Sequence, residues 1–213
     1  MQHKNIIITG ATDGIGLAAA KSIASKGYHV GLVGRNPDKG KKTIDEIFLH
    51  SGNNNLDFFE CDLSLVANVK DLADRIKQKY SKIDVLLNNA GGANKTKQIT
   101  SEGLEKTFAT NQMNYFVLST ELLNILSESN DGRIVNVASN AHIGAEVDYE
   151  NVNSEKSFSA WTSYCVSKLM NIISTYQLAS MQDKVSVNVL HPGFVDTNIA
   201  GNEGNLIKYI VKF

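Results

Sequence analysis

Asn5-Ile6-Ile7-Ile8-Thr9-Gly10-Ala11-Thr12-Asp13-Gly14-Ile15-Gly16-Leu17 decides the fold. Residues 5–9 read as a short buried strand. Residues 10–16 turn the chain, and an alanine-rich helix is expected from near Leu17. A strand, a tight glycine turn and a helix N-terminus together form an anion site. Glycines let backbone approach a diphosphate, and the unpaired N–H groups of the first helical turn point at it. The spacing is Gly-x3-Gly-x-Gly, which differs from the Gly-x-Gly-x-x-Gly of long dinucleotide-binding domains. A glycine cluster alone is weak evidence; its position between strand and helix strengthens it.

Working outward, apolar runs alternate with helical patterns. Strands are expected at 28–33, 56–60, 83–87, 132–138 and 185–190. Helices are expected at 17–25, 39–50, 101–126 (broken near Asn111) and 162–181, with one more beginning after a Ser64 cap. In that helix Val69, Leu72, Ala73 and Ile76 form the core stripe. In the 39–50 helix, Ile44, Ile47 and Phe48 are expected to face inward. The order β-α-β-α-β-α-β-α-β-α-β predicts an α/β fold, a parallel sheet with right-handed crossovers covered on both faces. No boundary, repeat or low-complexity segment interrupts residues 1–213.

Bulk composition limits the functions available. The chain has 213 residues, a formal net charge of -1 and 42% hydrophobic residues. That length suits one domain with a full core. The charge gives no electrostatic case for nucleic acid. The cluster Lys39, Gly40, Lys41, Lys42 reads as a solvated helix start. Two cysteines, Cys61 and Cys165, make no disulfide scaffold, so a reducing, cytoplasmic location is the expectation. The first strand begins within five residues, which argues against a signal peptide or membrane anchor. His142 and His191 lack partners at metal-ligand spacing, so no metal is expected.

Tyr164 and Lys168 carry the best chemical signal. Four residues apart on a helix, they share a face. A free tyrosine titrates at about 10. A neighbouring ammonium is expected to lower that value, poising the phenol to exchange a proton with a carbonyl or alcohol oxygen. Ser139 closes a central strand at its carboxyl end, where ligands bind in open parallel sheets. Its hydroxyl can bond a substrate oxygen or simply cap a turn. The second strand ends in Gly34-Arg35-Asn36, without the carboxylate that favours NAD. A guanidinium there suits a 2′-phosphate, which argues for NADP(H), with NAD(H) as the alternative. Asp13, in place of a base before Gly14, weighs the other way. Cys165 reads as packing. Trp161 and Phe158 read as pocket wall or core, with core slightly favoured.

These motifs together resemble the classical short-chain dehydrogenase/reductase family. The likeness rests on TGATDGIG (9–16), Cys61-Asp62-Leu63, NNAG (88–91), Asn111, Ser139, YCVSK (164–168) and HPG (191–193) with Thr197, in family order. It implies a doubly wound Rossmann-type sheet of order 3-2-1-4-5-6. The implied activity is hydride transfer between NADP(H) and a small-molecule carbonyl or alcohol. Asn111, Ser139, Tyr164 and Lys168 would be catalytic: Tyr164 as proton donor and acceptor, Lys168 holding the nicotinamide ribose, Ser139 orienting the substrate. Asn111 would hold a water linking Lys168 to solvent. Gly10, Thr12, Asp13, Gly14, Ile15, Gly16, Arg35, Asn36, Asp62, Leu63, Asn89, Ala90, Gly91, Pro192, Gly193, Val195 and Thr197 would line the cofactor with Tyr164 and Lys168.

A narrower likeness is to retinol-dehydrogenase-like members. RIVNVASNAH (133–142), the wide spacing of Ser139 and Tyr164 and the segment 163–171 carry it. It implies a lipophilic aldehyde, ketone or retinoid-like substrate and a substrate wall formed by the insert before Tyr164. Helices 111–126 and 162–181 are similar to those that pair family subunits, so a homodimer or tetramer is implied. Family members usually continue through a seventh strand, which is missing from this sequence. The sixth strand is then expected at an exposed sheet edge; either the sequence is a fragment, or a partner or the tail covers that edge. Two rival readings remain: a dinucleotide-binding sensor or docking module without turnover, and a structural oligomerisation subunit.

Overall fold

The computed structural model describes residues 4–193. Six parallel strands form one sheet in the order β3-β2-β1-β4-β5-β6. They are β1 (Asn5–Thr9), β2 (His29–Gly34), β3 (Leu56–Glu60), β4 (Val85–Asn88), β5 (Arg133–Val137) and β6 (Ser186–Leu190). The order is the expected one. Val195, Thr197 and the apolar tail around Ile207 and Ile210 lie outside the described residues.

Successive residues of β1 face opposite layers, as strand geometry requires. Ile7 joins a core with Leu72, Ile76, Leu86, Leu118 and Leu122. Ile6 and Ile8 join another with Ala20, Val30, Leu32 and Ile47. Helices α1 (Gly14–Ala24) and α2 (Pro37–Ser51) cover the second layer, while α3 (Val66–Lys79) and α5 (Asn114–Ser127) cover the first. An apolar run buried on both sides is what a central parallel strand needs.

Several expected boundaries shift for local reasons. Helix α1 begins at Gly14, because the Asp13 side chain accepts a hydrogen bond from the Gly14 N–H at 2.8 Å and caps the helix. Helix α2 begins at Pro37, capped by the Asn36 side chain on the Lys39 N–H. Phe48 is exposed on α2, whereas Ile47 is fully buried. One position of rotation separates the two faces.

Helix α3 keeps its expected stripe of Val69, Leu72, Ala73 and Ile76, but Ser64 does not cap it. The Ser64 hydroxyl donates to Asp62 at 2.8 Å. The cap is the Glu102 carboxylate, which accepts from the Val66 and Ala67 N–H groups at 2.6 and 2.9 Å. The helix expected from Ser101 begins only at Lys106. A short α4 (Lys106–Phe108), capped by Glu105, runs into a π-turn over Ala109–Met113 and then α5. The break near Asn111 is therefore present as that π-turn. Helix α6 (Ala160–Ser180) follows the irregular insert and packs on β6. Strand β6 lies at the sheet edge, its residues alternating between exposed and half-buried.

Candidate active site

The first turn is held at closest approach. Gly10 has φ +66°, and a Cβ there would sit 2.9 Å from the Ala90 Cα. A Cβ on Gly16 would lie 2.2 Å from the Gly10 carbonyl oxygen, so the helix can begin this near the turn only without a side chain. The segment after β4 locks the arrangement. The Thr9 hydroxyl oxygen accepts from the Asn89 and Ala90 N–H groups at 2.9 and 3.0 Å. The Asn89 amide donates back to the Thr9 carbonyl at 2.9 Å. The result is a bare backbone cradle at the N-terminus of an eleven-residue helix. Such a cradle fits a diphosphate.

The three candidate side chains of the site meet at the carboxyl end of β5. Ser139 follows this strand and caps a 3₁₀ turn over Asn140–His142. Its hydroxyl accepts from the Ala141 N–H at 3.2 Å and hydrogen-bonds the Tyr164 phenol. Tyr164 and Lys168 rise one turn apart on the buried face of α6, at 5% and 4% exposure. The Lys168 Nζ donates to the Val137 carbonyl at 2.9 Å and lies 5.5 and 5.9 Å from the Tyr115 and Tyr164 ring centroids. Ser139, Tyr164 and Lys168 therefore converge. Next to them, Gly91 comes so close that a Cβ on it would be 3.4 Å from the Lys168 Nζ.

The electrostatics differ from expectation in one respect. Lys168 does not bring the Tyr164 pKa down. Burial pushes the phenol above its ordinary value, with the Ser139 hydrogen bond acting against that rise. Lys168 is itself desolvated and falls to about 8. Its ammonium is directed at the Val137 carbonyl.

Asn111, fully buried in the π-turn, ties the site to its surroundings. Its side-chain amide donates to the Gly92 carbonyl and the Ser167 hydroxyl, both at 2.9 Å, and its oxygen accepts from the Gly92 N–H. The side chain thus joins the loop after β4 to α6, a bracing role that the sequence does not show.

At the other end of the cradle, Arg35 is exposed just after β2. Lys39, which was not among the expected site residues, pairs with Asp13 at 2.7 Å. The acidic residue that weighed against NADP is thus accompanied by a cation. Asp62 is exposed and Leu63 buried at the end of β3, beside Gly34, whose carbonyl accepts from the Cys61 N–H. Pro192 and Gly193 close the described chain, and the neighbouring His191 accepts from the Asn140 N–H at 3.2 Å. Cys165 is buried and its thiol is pushed up to about 11, in keeping with a packing role. Trp161 is 47% exposed, which overturns the core reading; its ring centroid lies 6.3 Å from that of Tyr164. Among the described residues no cluster of His, Cys, Asp and Glu could hold a metal ion.

The sheet order and the cradle define a Rossmann-type α/β protein. The chain belongs to the short-chain dehydrogenase family, whose model matches residues 4–206. It is 34% identical to the polyprenol dehydrogenase of Homo sapiens over 91% of its length, spanning 61% of that protein. It is also 34% identical to the retinol dehydrogenase 11 of Homo sapiens, covering 92% of this chain and 62% of the relative. The chain thus spans about three fifths of the length of these relatives. A short-chain dehydrogenase from Escherichia coli CFT073, complexed with NADPH, superposes with a TM-score of 0.74 at 27% identity, covering 89% of this chain and 76% of that one. An alcohol dehydrogenase from the archaeon Thermococcus sibiricus, at 21% identity and TM-score 0.77, shares the fold over 94% of this chain and 80% of that one.

Proposed function

We propose that this chain is the catalytic part of an NADP-preferring oxidoreductase that interconverts a carbonyl and an alcohol. The convergence of Ser139, Tyr164 and Lys168 beside the glycine cradle carries the reading. The 10–16 turn would hold the diphosphate. Asn89 to Gly91, Asp62, Leu63, Pro192 and Gly193 would line the rest of the cofactor, and Arg35 would meet the 2′-phosphate. The dinucleotide, when bound, supplies the hydride chemistry. Ser139 would hold the substrate oxygen by its hydroxyl. Tyr164 would pass its phenolic proton to that oxygen during reduction and recover it during oxidation. Lys168 would hold the ribose by its ammonium, and Asn111 would keep the loop and α6 in register.

The NADP preference draws support from Arg35, from the Lys39–Asp13 pair and from the NADPH complex of the 27%-identical neighbour. The names of the relatives point to a lipophilic alcohol or aldehyde as substrate class. Pairing of two copies would use the outer face of α5 and α6, where Phe116, Thr120, Ile173 and Met181 line an apolar groove that includes none of the acid–base residues. The two free, buried cysteines favour a reducing, cytoplasmic location.

The test is NADPH oxidation against a panel of aldehydes and ketones with the wild type and Tyr164→Phe. Turnover by the wild type, and its loss in the variant with NADPH affinity within about threefold, is expected. Equal turnover in both would overturn the proton role.

A further inference from the structure

We infer that Trp161 is the specificity-determining residue of this site, and that its indole stacks on a flat apolar segment adjoining the reacting carbon of the substrate. The inference rests on the oxidoreductase reading above. Trp161 is the second residue of α6 and stands three positions before Tyr164, so the two side chains share one face. Their ring centroids are 6.3 Å apart with planes inclined by 33°. Burial separates them: Tyr164 is 5% exposed at its bond to Ser139, whereas Trp161 is 47% exposed. The indole therefore continues the wall of the site outward from the proton donor into solvent.

A 6.3 Å centroid separation leaves no room for a third ring between the two aromatics, since two stacked contacts need about 7 Å. A ligand must cover the indole from its outward side. The 3₁₀ turn headed by Ser139 packs against α6 and is followed by Ile143, which is 72% exposed. A substrate oxygen at Ser139 and Tyr164 would thus have an apolar side beside its carbon. Indole is a large apolar surface that gains from being covered, and a flat conjugated or aromatic group covers it best. A short aliphatic carbonyl reaches Ser139 and Tyr164 without touching it.

Trp161 is the chain's one tryptophan, so tryptophan fluorescence reports from this one position. Kinetics would compare benzaldehyde with propanal, each with NADPH. Trp161→Ala is expected to raise KM for benzaldehyde about tenfold, leaving its kcat and the propanal KM within about twofold; Trp161→Phe should recover most of the loss. Benzaldehyde should also saturably quench the fluorescence of the wild type and of Tyr164→Phe, and propanal should not. A KM rise equal for both aldehydes, or fluorescence insensitive to benzaldehyde, would overturn the inference. If the wild type turns over neither aldehyde, the catalytic reading fails by itself, and the fluorescence titration still decides the contact at Trp161.

Discussion

The Lys168 ammonium is turned to the Val137 carbonyl at 2.9 Å while lying 5.9 Å from the Tyr164 ring centroid. Among the described residues, this buried cation thus has one neutral hydrogen-bond partner and no carboxylate ion pair. Its pKa falls to about 8 from the ordinary lysine value. The folded state therefore binds fewer protons than the unfolded chain between about pH 8 and about pH 10.4. Stability should rise with pH through that window, and below it the burial penalty is present in full. Replacing Lys168 by Met removes the penalty at neutral pH. We expect Lys168→Met to be more stable than the wild type by about 1–3 kcal/mol at pH 7 and to lose that advantage above pH 10. Thermal denaturation of both proteins without cofactor, scanned from pH 6 to 10.5, checks it. A variant less stable than the wild type at pH 7 would show that the ammonium is better accommodated than its surroundings suggest.

The Lys39–Asp13 pair makes a prediction about cofactor choice. Its side chains are 47% and 52% exposed, so it adds little to stability. Its consequence is electrostatic. Asp13 caps α1 beside the turn proposed to hold the diphosphate, and an unaccompanied carboxylate there would repel a 2′-phosphate more strongly than a 2′-hydroxyl. Lys39→Ala should reduce the preference for NADPH over NADH about fivefold, and Arg35→Asp should reverse it. The ratio of the two dissociation constants, measured by nucleotide fluorescence at fixed ionic strength, gives the answer. An unchanged ratio in both variants would remove Arg35 and Lys39 from the phosphate site.

Much of this fold is legible in the residues because the signals are local. Three successive isoleucines at 6–8 read as a strand covered on both sides, and they divide between the two layers. Val69, Leu72, Ala73 and Ile76 sit at helical spacing and are all buried. The order 3-2-1-4-5-6 follows once strands and helices alternate and crossovers are right-handed. What was not legible depends on distant neighbours. The direction of the Tyr164 pKa is set by how deeply α6 buries the phenol. Trp161 and Phe48 are apolar by type and exposed by geometry. The bracing by Asn111 requires the loop after β4 to lie against α6.

The cap of α3 is the plainest such case and leads to a stability prediction. A serine just before an apolar stripe is the ordinary local signal, and it points to Ser64. The group that caps the helix lies 36 positions beyond Val66: the Glu102 carboxylate receives two N–H groups, Val66 at 2.6 Å and Ala67 at 2.9 Å. Two charge-assisted bonds at the positive end of a helix outweigh one hydroxyl that already bonds Asp62. They also fasten the loop before α4 to the start of α3. Glu102→Ala should cost about 1–2 kcal/mol, a fall in Tm of roughly 2–8 °C for a chain of this size, whereas Ser64→Ala should cost about half as much or less. Differential scanning calorimetry of the two variants beside the wild type settles the ranking. A larger loss at Ser64 than at Glu102 would return the cap to the serine.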